Sequence, residues 1–488
     1  MSLDAQVEQT EQEPAMLDTE PASTSGPCLG DLIEVGTDKA SEHRAEPVSS
    51  SERYFAVDVL RGFALLGILA MNIIAFGWPF SAYENPMRGG GFGGLDRAVW
   101  FGNHLVFEEK MMTIFSMLFG AGLVLMDQRA LARGARVGGI YYRRVFWLLV
   151  IGWVHSYLIW FGDILVLYAE CGLLLYLFRK MKPKTLIILG ICSLLLLVPL
   201  NLGFAAWLDS MKAATARVEA ETKAGQKPSP RDQRLHDIWT GQVKEYVAPT
   251  PEKEAKAWAD ELRIHRGGYL GIAKHRAPLV FFVQTVVALL FGGLFAALGR
   301  MLLGMGLIKL GVFSAQRSFR FYLWMCGVGY GIGLPLMVFD ALELIRHEFS
   351  MDYRMHGGSF YNMFGSVVVA LGHVGLLMVI VQSGALGWLT RRLAAVGRMA
   401  LSNYLTHSLV CTTLFYGYGF GLFGHINRTG LAAIVLAIWV FQLVLSPIWL
   451  EHFRFGPAEW IWRSLTYWRL QPMRVNTVKS VSAVTVLD

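Results

Sequence analysis

Charged residues are scarce in this chain, at 17% of 488 residues against 54% hydrophobic. Soluble domains carry nearer a quarter, so water is not the solvent for most of this surface. Cysteine is scarcer still. Cys28, Cys171, Cys192, Cys326 and Cys411 are scattered with no CxxC spacing, which argues against a disulfide framework or a metal site; no metal is expected. No basic stretch followed by a short apolar one opens the chain, so the first apolar span is expected to serve as its own insertion signal. No repeat of roughly 20–50 residues is visible. The glycines of RGGGFGG (88–94) lack the strand–turn–helix setting of a phosphate cradle and read as an outer loop.

What the chain has is apolar length. A helix needs roughly 20 mostly apolar residues to cross a ~30 Å hydrocarbon core, because only a helix pairs all its backbone groups internally there. Ten runs qualify, near 56–78, 110–127, 140–161, 163–178, 185–208, 277–298, 320–343, 361–382, 399–420 and 431–450. Basic residues collect between alternate pairs. Arg129, Arg133, Arg136, Arg143 and Arg144 follow the second run, Arg179 to Lys184 the fourth, Arg300 to Arg320 the sixth, Arg391 to Arg398 the eighth and Arg454 to Arg474 the tenth. The positive-inside rule then places both termini in the cytoplasm. The expected fold is all-α, a polytopic membrane helix bundle of about ten transmembrane helices.

Five regions follow from this pattern. Residues 1–52 hold twelve acidic residues from Asp4 to Glu52 and only Lys39 and Arg44 as bases, the composition of a disordered acidic cytoplasmic tail. An N-terminal transmembrane half (53–208) and a C-terminal half (277–475) flank an extracytoplasmic loop (209–276), and a short cytoplasmic tail (476–488) ends the chain. Within the loop, EKEAKAWADELRIHR (252–266) reads as an interfacial surface helix or, alternatively, a lid. The net charge of +7 is spread over short loops and forms no stripe for nucleic acid, so membrane lipids are the expected partners.

Ionisable groups inside lipid are costly, which makes each one a functional candidate. In VDVLRGFALLGILAMN (57–72), Asp58 and Arg61 share a helical face and can pair at the cytoplasmic edge, and Asn72 lies about three turns further along. The pair either fixes helix depth or lines a site. In HSYLIWFGDIL (155–165), His155 precedes a turn and Asp163 follows it. A carboxylate that orients an imidazole is what a general base needs; the structural alternative is an N-cap and a helix–helix hydrogen bond. In LSNYLTHS (401–408), Asn403 and His407 share a face, as helix glue or as pocket lining. His373 reads as a packed core histidine. NHLVFEEK (103–110) places His104 on the outer side, and GPAEWIWRSLTYWR (456–469) suits an amphipathic interfacial helix or, through its arginines, a contact to the phosphates of a cytoplasmic cofactor.

RYFAVDVLRGFALLGILAMN, FSMLFGAG, HSYLIWFGDILVLYAECGLL, GRMALSNYL and FGPAEWIWRSLTYWR, in this order from about 53 to 475, resemble the uncharacterised YeiB-like bacterial inner-membrane family. The first motif also resembles transmembrane acyltransferases of two groups, those acting on envelope glycans and the heparan-α-glucosaminide N-acetyltransferase group. Asp58, Arg61, Gly62 and Asn72 match the pattern of the second. That resemblance implies acyl-CoA, such as acetyl-CoA, bound on the cytoplasmic side and an acyl group passed to a glycan or lipid acceptor across a bacterial cytoplasmic membrane. His155 with Asp163, then His104, are the expected catalytic residues. Asp58, Arg61, Asn72, Asn403 and His407 are the expected substrate or cofactor contacts. Two other readings stand beside it: a small-molecule or lipid transporter whose buried His and Asp relay protons, and a scaffold in which these groups are glue.

Overall fold

The computed structural model describes residues 54–244, 249–287 and 292–475; the acidic segment 1–52 and the tail 476–488 lie outside the described residues. Apolar runs become helices because no other local structure satisfies the backbone without water or a neighbouring strand. Among the described residues the backbone is helix and turn, apart from a single bridge between Phe453 and Arg474. The helices are α1 (Phe55–Gly77), α2 (Phe80–Glu84), α3 (Gly94–Val106), α4 (Lys110–Ala132), α5 (Gly138–Leu158), α6 (Leu165–Leu175), α7 (Pro183–Leu195), α8 (Leu197–Lys223) and α9 (Pro230–Ile238). They continue as α10 (Pro251–His265), α11 (Tyr269–Phe281), α12 (Gly293–Lys309), α13 (Phe319–Arg346), α14 (Ser359–Ser383), α15 (Gly387–Arg398), α16 (Ala400–Phe415), α17 (Arg428–His452) and α18 (Pro457–Tyr467).

Among the described residues, six helical stretches are long and apolar enough to cross a membrane: Phe55–Gly77, Gly94–Ala132, Pro183–Lys223, Phe319–Arg346, Met351–Ser383 and Arg428–His452. Their exposure identifies the solvent. In the most apolar part of Pro183–Lys223 only 22% of residues are buried, and in that of Arg428–His452 only 28%. Trp324, Ile332 and Phe339 of α13, and Leu436, Val440 and Phe441 of α17, face outward. Such faces would be a large exposed patch in water and are ordinary in lipid. The chain is an all-α membrane helix bundle.

α1 lies at its centre, with apolar side chains of every face in the core. Two glycine pairs set how closely its neighbours approach. A Cβ on Gly62 would lie 2.0 Å from the Leu393 carbonyl oxygen, and one on Gly397 would lie 2.0 Å from that of Asp58, so α1 and α15 touch backbone to backbone. Gly120 of α4 meets the Met301 carbonyl and Gly304 of α12 that of Met117 in the same way. Small residues at such crossings allow the dense packing that substitutes for a hydrophobic driving force in lipid.

Several expected boundaries move. The run expected at 399–420 is helical only to Phe415, because Tyr416 turns extended and the glycine-rich segment after it folds back under α10. The run at 277–298 falls across two elements. A π-helical turn, Phe282–Val287, follows α11, residues 288–291 lie outside the described residues, and α12 continues to Lys309. Arg300, expected in a basic loop, is therefore inside a helix; it is buried and paired with Glu109 at 2.7 Å. The 252–266 segment is helical as α10. It docks on the bundle through Glu261, which accepts the Phe80 N–H at 3.0 Å, and through His265, whose ring stacks on Phe423 at 4.5 Å.

The glycine loop 88–94 is held by Arg428, which the sequence did not single out. Its guanidinium donates to the carbonyls of Ala82, Pro86, Gly89 and Gly91. Arg428→Ala would strand these acceptors and is expected to cost about 3 kcal/mol. Arg428→Lys, with one compact ammonium, recovers only part. Thermal unfolding in detergent and protease nicking between Asn85 and Gly94 check this.

Candidate functional site

Where the arginine-bearing ends of the helices meet, the bundle encloses a cavity of about 290 Å³. Its walls come from both halves of the chain: α1, α4, α5, α6, α15, α16 and α18. Six arginines line it, Arg61, Arg129, Arg133, Arg144, Arg398 and Arg463, against two carboxylates, Asp58 and Glu459. Deeper, the lining turns apolar with Phe115, Leu118, Phe119 and Leu148, and ends at Ile164, Leu165 and Tyr404. Along α1 the lining runs from Tyr54 to Ile68, about 21 Å at 1.5 Å per residue. A cationic mouth over a long apolar shaft is complementary to an amphiphile with a phosphorylated head.

Each side chain at the mouth is placed by a local cause. Arg61 bonds Asp58 at 2.8 Å, one helical turn apart on α1. The Gly62 contact brings in α15, which delivers Arg398. The amphipathic α18, with Pro457 in its first turn, brings Glu459, Trp462 and Arg463. Glu459 accepts the N–H groups of Leu401 and Ser402 at 2.6 and 3.2 Å, together with the Ser402 hydroxyl, and so caps α16 with a negative charge at its positive end. The Arg144 guanidinium stacks 3.9 Å from the Trp462 ring centroid, while Trp462 donates its indole N–H to the Arg144 carbonyl at 2.9 Å. Both carboxylates are thus engaged locally, Asp58 by Arg61 and Glu459 by the start of α16.

Behind the end wall lies a buried relay. Asp163 Oδ1 is 2.7 Å from His155 Nδ1, and His155 Nε2 is 2.8 Å from Ser408 Oγ. Asp163 Oδ2 accepts the Val166 N–H at 2.9 Å, so the carboxylate also caps the first turn of α6. An ionised Asp163 only accepts, which puts the ring proton on Nδ1; Nε2 is then the acceptor and Ser408 donates. His155 and Ser408 are each 1% exposed. Gly152, one turn before His155, leaves the room: a Cβ there would lie 3.1 Å from Asp163 Oδ2. Tyr404 joins relay and cavity, with its ring centroid 5.1 Å from that of His155 and its side chain in the end wall. On the far side Trp160, stacked 4.0 Å from Phe76, and Phe161 close the bundle.

The other expected residues fall elsewhere. Asn403 donates to the Val396 carbonyl and to Ser446, and His407 Nε2 lies 2.8 Å from Gln442 Oε1, whose amide donates back to the Asn403 carbonyl. This network joins α16 to α17. Asn72 is half-buried and is not among the residues that line the cavity. His373, read as a packed core histidine, is buried and bonds the Tyr330 hydroxyl and the Val106 carbonyl. His104 belongs to a second cluster: its ring lies between two carboxylates, Glu108 at 2.7 Å and Asp340 at 2.9 Å, under the Trp100 ring, and Lys110 donates to its carbonyl. Either the ring is an imidazolium or one carboxyl is protonated, so this trio holds a proton beyond the neutral imidazole's own. Ser408, Tyr404 and Asp340 were missed by the sequence reading; a lone hydroxyl or carboxylate on a long helix carries no spacing signal.

Comparison with known proteins adds lineage and no chemistry. Residues 307–469 match a family described as "Protein of unknown function (DUF418)". An uncharacterised Bacillus subtilis (strain 168) protein, YxaH, is 32% identical over 452 residues, 88% of this chain and 98% of that protein. An uncharacterised Escherichia coli (strain K12) protein, YeiB, is 32% identical over 419 residues, 85% of this chain and 96% of that one. With similarity of this level along nearly the whole of both relatives, the chain belongs to the YeiB-like family of uncharacterised proteins.

Proposed function

We propose that this protein is a transmembrane acyltransferase that passes an acyl group from a cytoplasmic acyl-CoA to an envelope glycan or lipid acceptor. The reading rests on one observation: the arginine-lined cavity ends on Tyr404 and Ile164, next to the His155–Asp163 pair. The topology expected from the basic loops, ten spans with both termini inside, would put the arginine-bearing end at the cytoplasmic face of a bacterial inner membrane. The N-terminal half supplies most of the cavity and the C-terminal half supplies Arg398, Tyr404 and α18.

The residues then have distinct tasks. The arginines hold the phosphates of CoA through planar, bidentate contacts. The apolar shaft takes the pantetheine arm and brings the thioester to the end wall. Asp58 keeps Arg61 oriented at the mouth. His155 accepts the proton of the attacking hydroxyl at Nε2, and Asp163 fixes the tautomer and stabilises the imidazolium. Asn403 and His407 hold α16, which carries Tyr404, against α17.

Removing the base is expected to cost about 10²–10⁴-fold in turnover. In purified, reconstituted protein His155→Ala, and to a similar extent Asp163→Asn, should lose acyl transfer while CoA binding by the folded fraction stays near wild type. Wild-type transfer by a stably inserted His155→Ala protein would remove the assignment. A second reading, a proton-coupled transporter of a small molecule or lipid, is favoured by the His104–Glu108–Asp340 trio, because a proton shared between the buried Asp340 and the half-buried Glu108 through His104 suits a relay. Flux that follows a pH gradient without covalent transfer selects it.

A further inference from the structure

The base of the relay is already occupied. If His155 acted directly on an acceptor, its Nε2 lone pair would have to face that acceptor; instead it faces Ser408 Oγ at 2.8 Å, with Asp163 behind the ring at 2.7 Å. We propose that Ser408 is the nucleophile of this protein and carries the acyl group as an oxygen ester between donor and acceptor. The inference rests on the acyltransferase reading and adds a covalent step to it.

Other hydroxyls of α16 mark the contrast. Thr406, Thr412 and Thr413 each donate to a backbone carbonyl of their own helix, those of Ser402, Leu409 and Leu409. That is the ordinary way a hydroxyl is satisfied in an apolar helix. Ser408 bonds an imidazole that is itself oriented by a carboxylate, the arrangement that makes a neutral hydroxyl nucleophilic. Tyr404, one turn earlier on the same face, lines the cavity, so Ser408 lies directly behind the end wall.

The step balances without any further reactant. Ser408 Oγ attacks the thioester carbonyl carbon and its proton passes to His155 Nε2. The C–S bond then breaks, and the leaving CoA sulfur takes that proton, giving acyl-Ser408, free CoA thiol and a neutral imidazole. In the second half the acceptor hydroxyl or amine attacks the ester carbonyl, its proton goes to His155 and then to Ser408 Oγ, and the acylated acceptor leaves. A serine ester is neutral, so the acyl group crosses the apolar interior while the phosphates of CoA stay at the arginines.

The test is intact-protein and peptide mass spectrometry of the purified full chain, quenched after incubation with acetyl-, butyryl- and palmitoyl-CoA in turn. CoA thiol release is followed in parallel in membrane vesicles that carry the native envelope acceptors. The expected result is one acyl adduct on the peptide containing Ser408, absent in Ser408→Ala and strongly reduced in His155→Ala. Ser408→Cys should carry the adduct as a thioester cleaved by neutral hydroxylamine, which separates loss of the nucleophile from loss of the fold. Wild-type CoA release by Ser408→Ala, with no adduct in the wild type, would mean direct transfer; this overturns the covalent step and leaves the acyltransferase standing. No CoA binding, no adduct and no thiol release in the wild type would overturn both.

Discussion

Arg144→Glu combined with Arg398→Glu is expected to abolish binding of acyl-CoA. The wild-type cavity sets six arginines against two carboxylates. The double reversal would leave four against four, removing the net field as well as two guanidinium forks. Charge-assisted contacts of this kind contribute about 1.5–3 kcal/mol each, so a loss of about 3 kcal/mol is a conservative figure, on the order of a hundredfold in Kd. Screening tests the cause: raising salt should weaken wild-type binding and barely affect the variant. Arg320→Glu with Arg391→Glu changes the charge equally at exposed arginines outside the cavity lining, and should bind as wild type does. Titration calorimetry with acetyl-CoA and with CoA lacking its 3′-phosphate measures all of these.

Gly62→Val should be among the most damaging single substitutions in the bundle. The added carbons would meet a backbone carbonyl at 2.0 Å, not the movable end of a side chain. Overpacking of this kind costs about 1–3 kcal/mol where side chains can yield, and at a backbone contact the helices themselves have to separate. Since α15 also meets Asp58 through Gly397, separation displaces Arg398 and the Asp58–Arg61 pair together. Loss of folded protein in detergent and loss of CoA binding are expected to go together, whereas Gly203→Ala, outside the cavity lining and at a position where a Cβ meets nothing, should be silent in both. Size-exclusion profiles and melting curves decide it.

How much of this was legible depends on sequence distance. Asp58 and Arg61 are one turn apart, and His155 and Asp163 are joined by one tight turn, so their pairing follows from local geometry. Apolar length and the scatter of arginines were enough for an all-α membrane bundle. The arginines were read only as topology markers, because nothing local says that Arg129, Arg144 and Arg398 converge on one cavity. Ser408 is 253 residues from His155 and Asp340 is 236 from His104; such contacts are set by which helices pack together. Gly62 was legible as part of a motif, but its reason, a carbonyl of α15, was not. Arg300 misled because a buried, paired arginine inside a helix looks, one residue at a time, like any basic loop residue.

The central claim is acyl transfer to the envelope, and its most direct test is mass spectrometry of envelope glycans and lipids. The comparison is a deletion strain against the same strain complemented with the wild type or with His155→Ala. The account predicts an acyl mass that disappears on deletion, returns with the wild type and stays absent with a stably expressed His155→Ala protein. Identical acyl profiles in all strains, with the wild-type protein abundant in the membrane, would contradict it.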